Sequence, residues 1–304
     1  MFSDLAIDDL KQHLSSETFR YIFSPKFIFL CGKGFDKRIP NAYLDTNRGI
    51  IQQYIKTKAP KSYIVLSEQL WENGLLADID LLTFEEFLAE VSDCIILFVE
   101  SMGSACELGA FTFEEKLFME KLILVLNEKY KDDDSFINHG PIAKAKKNNT
   151  PVVYADLDGA LLSSRELLSE TNRIIGQMSE KCKLNKRSVN KANEVNLSSF
   201  LVEIIELIRL LQPITSDELV TVYKKIKSFS SFDFVKKNGQ PFNSKIHLNY
   251  LLKLLTSVSI LKQDKEQYFL SDSNSANNLM FSFSSSTLSR ARNRILSRKY
   301  KYKG

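Results

Sequence analysis

The sequence predicts an α/β protein: a parallel β-sheet flanked by helices, then a helical connector, then a winged helix-turn-helix module. Three observations carry this. In the first half, short apolar runs without polar alternation are separated by amphipathic helical patterns, which is how strands buried on both faces of a parallel sheet read. From about residue 157 the alternation stops and helical patterns follow one another. After Pro213, two helical patterns are followed by two strand patterns around a Gln-Asp-Lys-Glu turn, the order of a winged helix.

In chain order, "KFIFLCG" (26–32) is an apolar strand ending in glycine, and "AYLDTNRGIIQQYIK" (42–56) is helical. "SYIVLSEQLW" (62–71) begins as a strand, "LLTFEEFLAEV" (81–91) is helical, and "DCIILFVE" (93–100) is a fully apolar strand. "ACELGAFTFEEKLFMEK" (105–121) is helical, "LILVLN" (122–127) is a strand, and "PVVYA" (151–155) closes the series. Three segments follow from this: an α/β domain over 1–156, a helical connector over 157–212, and a winged-helix domain with a basic tail over 213–304. In the last of these, Leu248, Leu251, Leu252 and Leu255 share one helix face and are expected in the core. Lys245, Asn249 and Lys253 fall on the opposite face. Residues 271–286, rich in serine and asparagine, read as a loose connector.

Composition excludes several classes. No apolar run reaches membrane-spanning length, and the acidic start "MFSDLAIDDLKQ" lacks a signal core, so a cytoplasmic protein without a membrane segment is expected. The four cysteines show no CxxC spacing and the three histidines are far apart, so no metal site is expected. Charge is uneven. Residues 213–304 hold 16 Lys+Arg against 6 Asp+Glu, whereas 1–212 hold 25 against 31. A body of net −6 joined to a segment of net +10 points to a polyanionic partner for the segment, with Lys245, Asn249, Lys253, Arg290, Arg292 and Arg294 as candidate contacts.

The stretch "ESMGSACELGAF" (100–111) lies just past the third strand, at the strand ends where ligands bind in such sheets. Two readings of Glu107 stand. Ser104 and Glu107 have the spacing of a capping box, in which serine is the N-cap and glutamate closes it. Alternatively, Glu107 is a carboxylate kept ionised by the helix dipole beside a phosphate site built from the helix start, Gly103 and the small side chains of Ser101 and Ser104. That arrangement suits a sugar carbon becoming cationic as a glycosidic bond breaks. Asp93 opens its strand, at the end away from the crevice, and reads as structural. Glu100 ends that strand and could stand beside Glu107. Asn138 and His139, in "SFINHGP" (135–141), follow the fourth strand.

"SMGSACELGAF", with "FIFLCG", resembles the active-site loop, helix and first strand of the nucleoside 2-deoxyribosyltransferase family over roughly residues 26–155. The resemblance implies that Glu107 is the nucleophile on the anomeric carbon. It also implies that Ser101 contacts the 5′ side of the sugar, and serine there fits a 5′-phosphate better than an acid would. "IILFVESMGSACELGAF", "SFINHGP" and the domain order are similar to a family of bacterial retron effectors, which join such a domain to a winged-helix DNA-binding region. That resemblance implies a toxic effector of anti-phage defence, partnered by a reverse transcriptase and its branched RNA–DNA.

The expected activity is therefore an N-glycosidase acting on a nucleotide, NAD+ first and purine nucleotides next, without a cofactor. Glu107 would be catalytic, and Gly32, Ser101, Gly103, Ser104 and Asn138 would bind substrate. A homo-oligomer or larger complex is expected. A nucleotide-sensing domain without turnover, controlling a DNA-binding winged helix, is the alternative. A phosphoribohydrolase of the cytokinin-activating type lacks its P-G-G-x-G-T loop here.

Overall fold

The computed structural model describes residues 3–15, 26–36, 38–60, 62–71, 80–113, 116–158, 165–184, 197–228, 234–235, 241–242, 244–271, 290 and 292–297. They fall into two compact units, Lys26–Lys186 on one side and Met1–Pro25 with Arg187–Gly304 on the other.

The first unit is built on five strands: β1 Lys26–Cys31, β2 Ser62–Val65, β3 Cys94–Val99, β4 Leu122–Asn127 and β5 Val152–Ala155. All neighbours are parallel, in the order β2-β1-β3-β4-β5, with Phe29 opposite Val65 and Ile95, and Leu97 opposite Leu124. The central strands are buried almost end to end, whereas the edge strands β2 and β5 alternate between buried and half-buried. This is why the middle strands read as unbroken apolar runs: helices cover both of their faces.

On one face, Ile28, Leu30, Ile96, Phe98, Ile123 and Val125 pack with Ile50, Ile51 and Ile55 of α2 (Asn47–Lys58) and with Ile174 and Met178 of the last helix of the unit, Arg165–Leu184. On the other face, Phe29 meets Phe111 edge-on and Phe111 meets Phe118. Between these lie α3 (Ser67–Trp71), α4 (Leu81–Val91), α5 (Met102–Phe113), α6 (Lys116–Lys121) and α7 (Ala143–Lys147), so the final helix is α8. Asp80 caps α4, accepting from the Thr83 amide at 2.8 Å. At the other end of α4, Lys121 donates to the carbonyls of Ala89 and Glu90, which the helix itself leaves unpaired. Asp93, at the N-terminal end of β3, accepts from the Phe27 amide at 2.8 Å, a structural role as expected.

The second unit contains α1 (Asp4–Ser15), α9 (Leu197–Leu211), β6 (Ile214–Thr215), α10 (Ser216–Lys227), the pair β7 (Phe234–Val235) and β8 (Pro241–Phe242), α11 (Ser244–Ser257), β9 (Leu261–Asp264) and β10 (Gln267–Leu270). β10 lies between β6 and β9, antiparallel to both. Leu248, Leu251, Leu252 and Leu255 are fully buried, as the helix face predicted. Thr215 and Glu218 form a reciprocal capping box at the start of α10. Buried Glu203 accepts from the Tyr223 hydroxyl at 2.6 Å and from Lys227 at 2.7 Å. The first helix therefore groups with this unit rather than with the sheet. The stretch 157–212 is shared: α8 packs on the sheet and α9 belongs to the second unit. The serine- and asparagine-rich residues 272–286 lie outside the described residues.

Among the described residues, no helix is long and apolar enough to cross a membrane, and no group of three potential metal ligands occurs.

Candidate active site

The strand order reverses between β1 and β3, so the crevice of this sheet lies beyond their C-terminal ends. Gly32 ends β1 there with φ +151°, and a Cβ on it would come within 3.0 Å of the Phe98 Cβ and 3.3 Å of Arg48. Only glycine allows the chain to leave the sheet so close to β3. The other lip is the Glu100–Ser104 turn. Glu100 accepts from the Lys33 amide at 3.2 Å and from the Asn47 amide nitrogen at 2.7 Å. It thereby ties the β1 loop and the start of α2 to the end of β3, rather than standing free beside Glu107.

The turn corrects both readings of Glu107. The N-cap of α5 is Ser101, not Ser104. Ser101 Oγ accepts from the Ser104 amide at 3.2 Å, while Ser104 Oγ accepts from the Ser101 and Glu100 amides at 2.9 and 3.0 Å. The box is closed by two serines, and Glu107 lies more than a turn further in, on the side facing the crevice. It does not cap. Nor is it an anion held by the helix dipole, because that influence fades within the first turn. Its Oε2 is buried and has no hydrogen-bond partner among the described residues. Burial raises its pKa from 4.5 to about 8, and the neighbouring acids Glu85 and Glu68 push the same way, against Arg48.

Around Glu107 stands a set of buried polar groups that the sequence reading did not single out. Arg48, 1% exposed, donates through Nη2 to Glu68 at 2.5 Å and to the Lys33 carbonyl at 2.8 Å. Glu85, on α4, is buried, and desolvation raises its pKa from 4.5 to about 7 although Ser67 hydrogen-bonds to it. Four more side-chain atoms here are buried without a partner among the described residues: Tyr43 Oη, Asn47 Oδ1, Arg48 Nε and Glu68 Oε2. Each unpaired buried polar atom costs about 1–3 kcal/mol. Five such atoms gathered around the end of one crevice make it the candidate ligand site of this unit. One signal in the sequence could have found part of it: Glu85 falls on the apolar stripe of α4, between Leu81 and Leu88.

The other expected site residues are placed as follows. The first two N–H groups of α5, at exposed Met102 and Gly103, have no intrahelical acceptor. A Cβ on Gly103 would meet only Ser101 Oγ, at 3.9 Å, so the space above this turn is open. Asn138 donates to the carbonyls of Tyr130 and Asp133 at 2.9 and 2.7 Å, folding its own loop, which packs against α5. His139 pairs with Asp134 at 2.8 Å on the exposed surface. In the second unit, Asn249 and Lys253 are exposed on α11, and Lys245 lies on the same helix with its side chain outside the described residues. Arg290 is exposed. Arg292 donates to the Gln212 carbonyl at 3.2 Å and Arg294 pairs with Asp9 at 3.4 Å, so both serve the fold of that unit.

A family model described as "STM3845 retron effector protein" matches residues 44–263. Two Escherichia coli proteins are similar. One, of retron Ec73 and named as an inferred ribosyltransferase/DNA-binding protein, is 28% identical over 230 residues, 70% of each chain. The other, of retron Ec86 and named in the same way, is 38% identical over 137 residues, 44% of this chain and 42% of that protein. The family match takes in Arg48, Glu68, Glu85 and the Ser101–Glu107 turn together with most of the second unit, and the chain belongs to this family of retron effectors.

Proposed function

We propose that the Lys26–Lys186 unit is an N-glycosidase of the deoxyribosyltransferase-like class that removes the base from a nucleotide, and that depletion of this substrate makes the chain a toxic effector of retron anti-phage defence. The observation that carries this is Glu107 Oε2, buried and unpartnered at the sheet's reversal point among other unpartnered polar groups. The ribosyltransferase part of the two relatives' names agrees with it.

In this reading the 5′-phosphate lies over Ser101, Gly103 and the first amides of α5, where phosphate meets unpaired donors. Glu107 attacks C1′ as the C1′–N bond breaks and the base takes the bonding pair. Water then cleaves the glycosyl ester, leaving the sugar with its 5′-phosphate group, the restored carboxylate and a proton. A carboxyl that keeps its proton to about pH 8 in the empty site is ionised most readily by a cationic neighbour. This favours NAD+, whose nicotinamide ring is cationic and departs neutral, over purine nucleotides. Incubating the purified protein with NAD+ and with nucleotides, and assaying for free base, tests the reading. Base release that Glu107→Gln abolishes supports it. Nucleotide binding without any base release would favour a sensor instead.

For the second unit we propose a winged helix that docks on a nucleic-acid-containing partner, a reverse transcriptase with its branched RNA–DNA, in a homo-oligomeric or larger complex. The order β6, α10, α11, β9, β10 supports this, as do the net charge of +10 over 213–304 and the exposed Asn249, Lys253 and Arg290.

A further inference from the structure

We propose that Glu68, held by the buried Arg48, is a specificity-determining residue that accepts a hydrogen bond from a hydroxyl of the substrate's sugar, so that the site takes ribonucleotides in preference to 2′-deoxyribonucleotides. This rests on the reading of the crevice as a nucleotide site and names the sugar that the site is built for.

Glu68 stands just beyond β2, and Glu107 on the helix just beyond β3, while β1 with Gly32 at its end runs between these strands. The two acids thus flank the reversal point from opposite sides, near enough to influence each other electrostatically. One oxygen of Glu68 is fixed by Arg48 at 2.5 Å, and Arg48 is itself anchored on the Lys33 carbonyl. The other oxygen, Oε2, is buried and without a partner among the described residues, as is Oδ1 of Asn47 on the first turn of α2. Asn47 cannot turn its amide to fill that need, because its nitrogen is already committed to Glu100 and to the Leu157 carbonyl.

A ligand in the crevice that satisfies these acceptors does so by donating to them. Phosphate offers none and is repelled by a carboxylate. A ribose offers two adjacent hydroxyls. With Glu107 at C1′, the 2′-hydroxyl is the nearest donor, carried on the carbon next to the reacting one. A hydrogen bond at that position also strengthens as the sugar becomes cationic. A 2′-deoxy sugar would leave a buried acceptor without a donor, and sites of this type reject the analogue strongly.

The test uses the full-length protein. Calorimetric binding of AMP and of dAMP is measured on the Glu107→Gln variant, which cannot turn them over. Base release by the wild-type protein is measured with AMP, dAMP, NAD+ and NAD+ lacking the 2′-hydroxyl of the nicotinamide ribose. The expected result is binding of AMP at least about tenfold tighter than dAMP, the worth of one hydrogen bond to a charged acceptor. Adding Glu68→Gln should weaken AMP and leave dAMP nearly unchanged. Equal affinity for AMP and dAMP overturns the proposal without any Glu68 variant, and so does an equal loss for both on Glu68→Gln. Base release without preference for the ribo form sinks this proposal and leaves the glycosidase reading standing. Selective ribonucleotide binding with no base release from any substrate does the reverse. Absence of binding together with absence of base release from every substrate overturns both.

Discussion

Replacing Glu107 by glutamine should stabilise the protein while destroying its activity. In the folded chain Glu107 holds its proton up to about pH 8, against an ordinary value of 4.5, because burial and the neighbouring acids disfavour the anion. The unfolded chain releases that proton above pH 4.5. Between these values the folded state binds one proton more than the unfolded state, so stability falls as pH rises. The contribution is fully present below 4.5 and is lost progressively up to about 8. At 1.36 kcal/mol per pH unit, the 2.5 units from 4.5 to pH 7 amount to about 3 kcal/mol of destabilisation carried by the wild-type side chain. Glutamine has the same shape, a similar helix propensity and no charge to strip of water, so it escapes this cost. For a unit of this size the gain corresponds to roughly 6–12 °C in Tm at pH 7. The assay is thermal unfolding of both proteins from pH 4 to pH 9, with base release measured alongside. The Tm difference should be near zero at pH 4 and grow with pH. A variant that is no more stable at pH 8 would refute the reasoning, because it would mean that Glu107 is paired and ionised in the fold. A variant less stable at every pH would refute it equally, and would not restore a capping role, because glutamine closes a capping box as glutamate does.

Several other outcomes are expected. The kcat/KM for base release should rise with pH towards about 8 and then level off, because the free enzyme must lose the Glu107 proton to react; a profile flat from pH 6 to 9 would remove Glu107 as the nucleophile. Ser101→Asp keeps the N-cap of α5 yet places a negative charge beside the 5′ position, so use of 5′-phosphorylated substrates should drop by about 1–4 kcal/mol in transition-state energy while nucleosides are spared. Equal losses for both would mean that Ser101 does not face the phosphate. Gly49→Ala should unfold the start of α2, since the added Cβ would lie 2.0 Å from the Tyr43 carbonyl; circular dichroism and a fall in Tm of several degrees, on the order of 2 kcal/mol or more, would register it. Charge reversal at Lys245 and Lys253 should loosen co-purification with the nucleic-acid-containing partner, most visibly as salt rises, without changing base release. Retention indifferent to salt, nuclease and both lysines would make the second unit a protein-binding module.

The sequence alone determined the sheet. Parallel strands covered on both faces must be apolar throughout, and that pattern is local, so β1, β3 and β4 could be read directly from "KFIFLC", "CIILFV" and "LILVLN". The place of the candidate site followed from the same pattern, since strand ends beyond a parallel sheet are where ligands bind. The buried leucines of α11 were legible for the same reason. What Glu107 does there was not. The motif Ser/Thr-x-x-Glu occurs at 215–218 and again at 104–107, yet only the first folds as a capping box. At the second, Ser101 offers a competing cap three residues earlier, and the tertiary turn at the end of β3 selects it. Glu107 is thereby displaced into the crevice, where burial, a property of the surrounding helices and not of the motif, decides its protonation. Arg48, Glu68, Glu85 and Tyr43 were invisible for a related reason. They come from three separate segments, and apart from the place of Glu85 on the apolar stripe of α4 nothing local distinguishes them from solvated residues. Only the strand order β2-β1-β3 brings their elements to one point, and only there do Tyr43 Oη, Arg48 Nε and Glu68 Oε2 stand buried without a partner among the described residues.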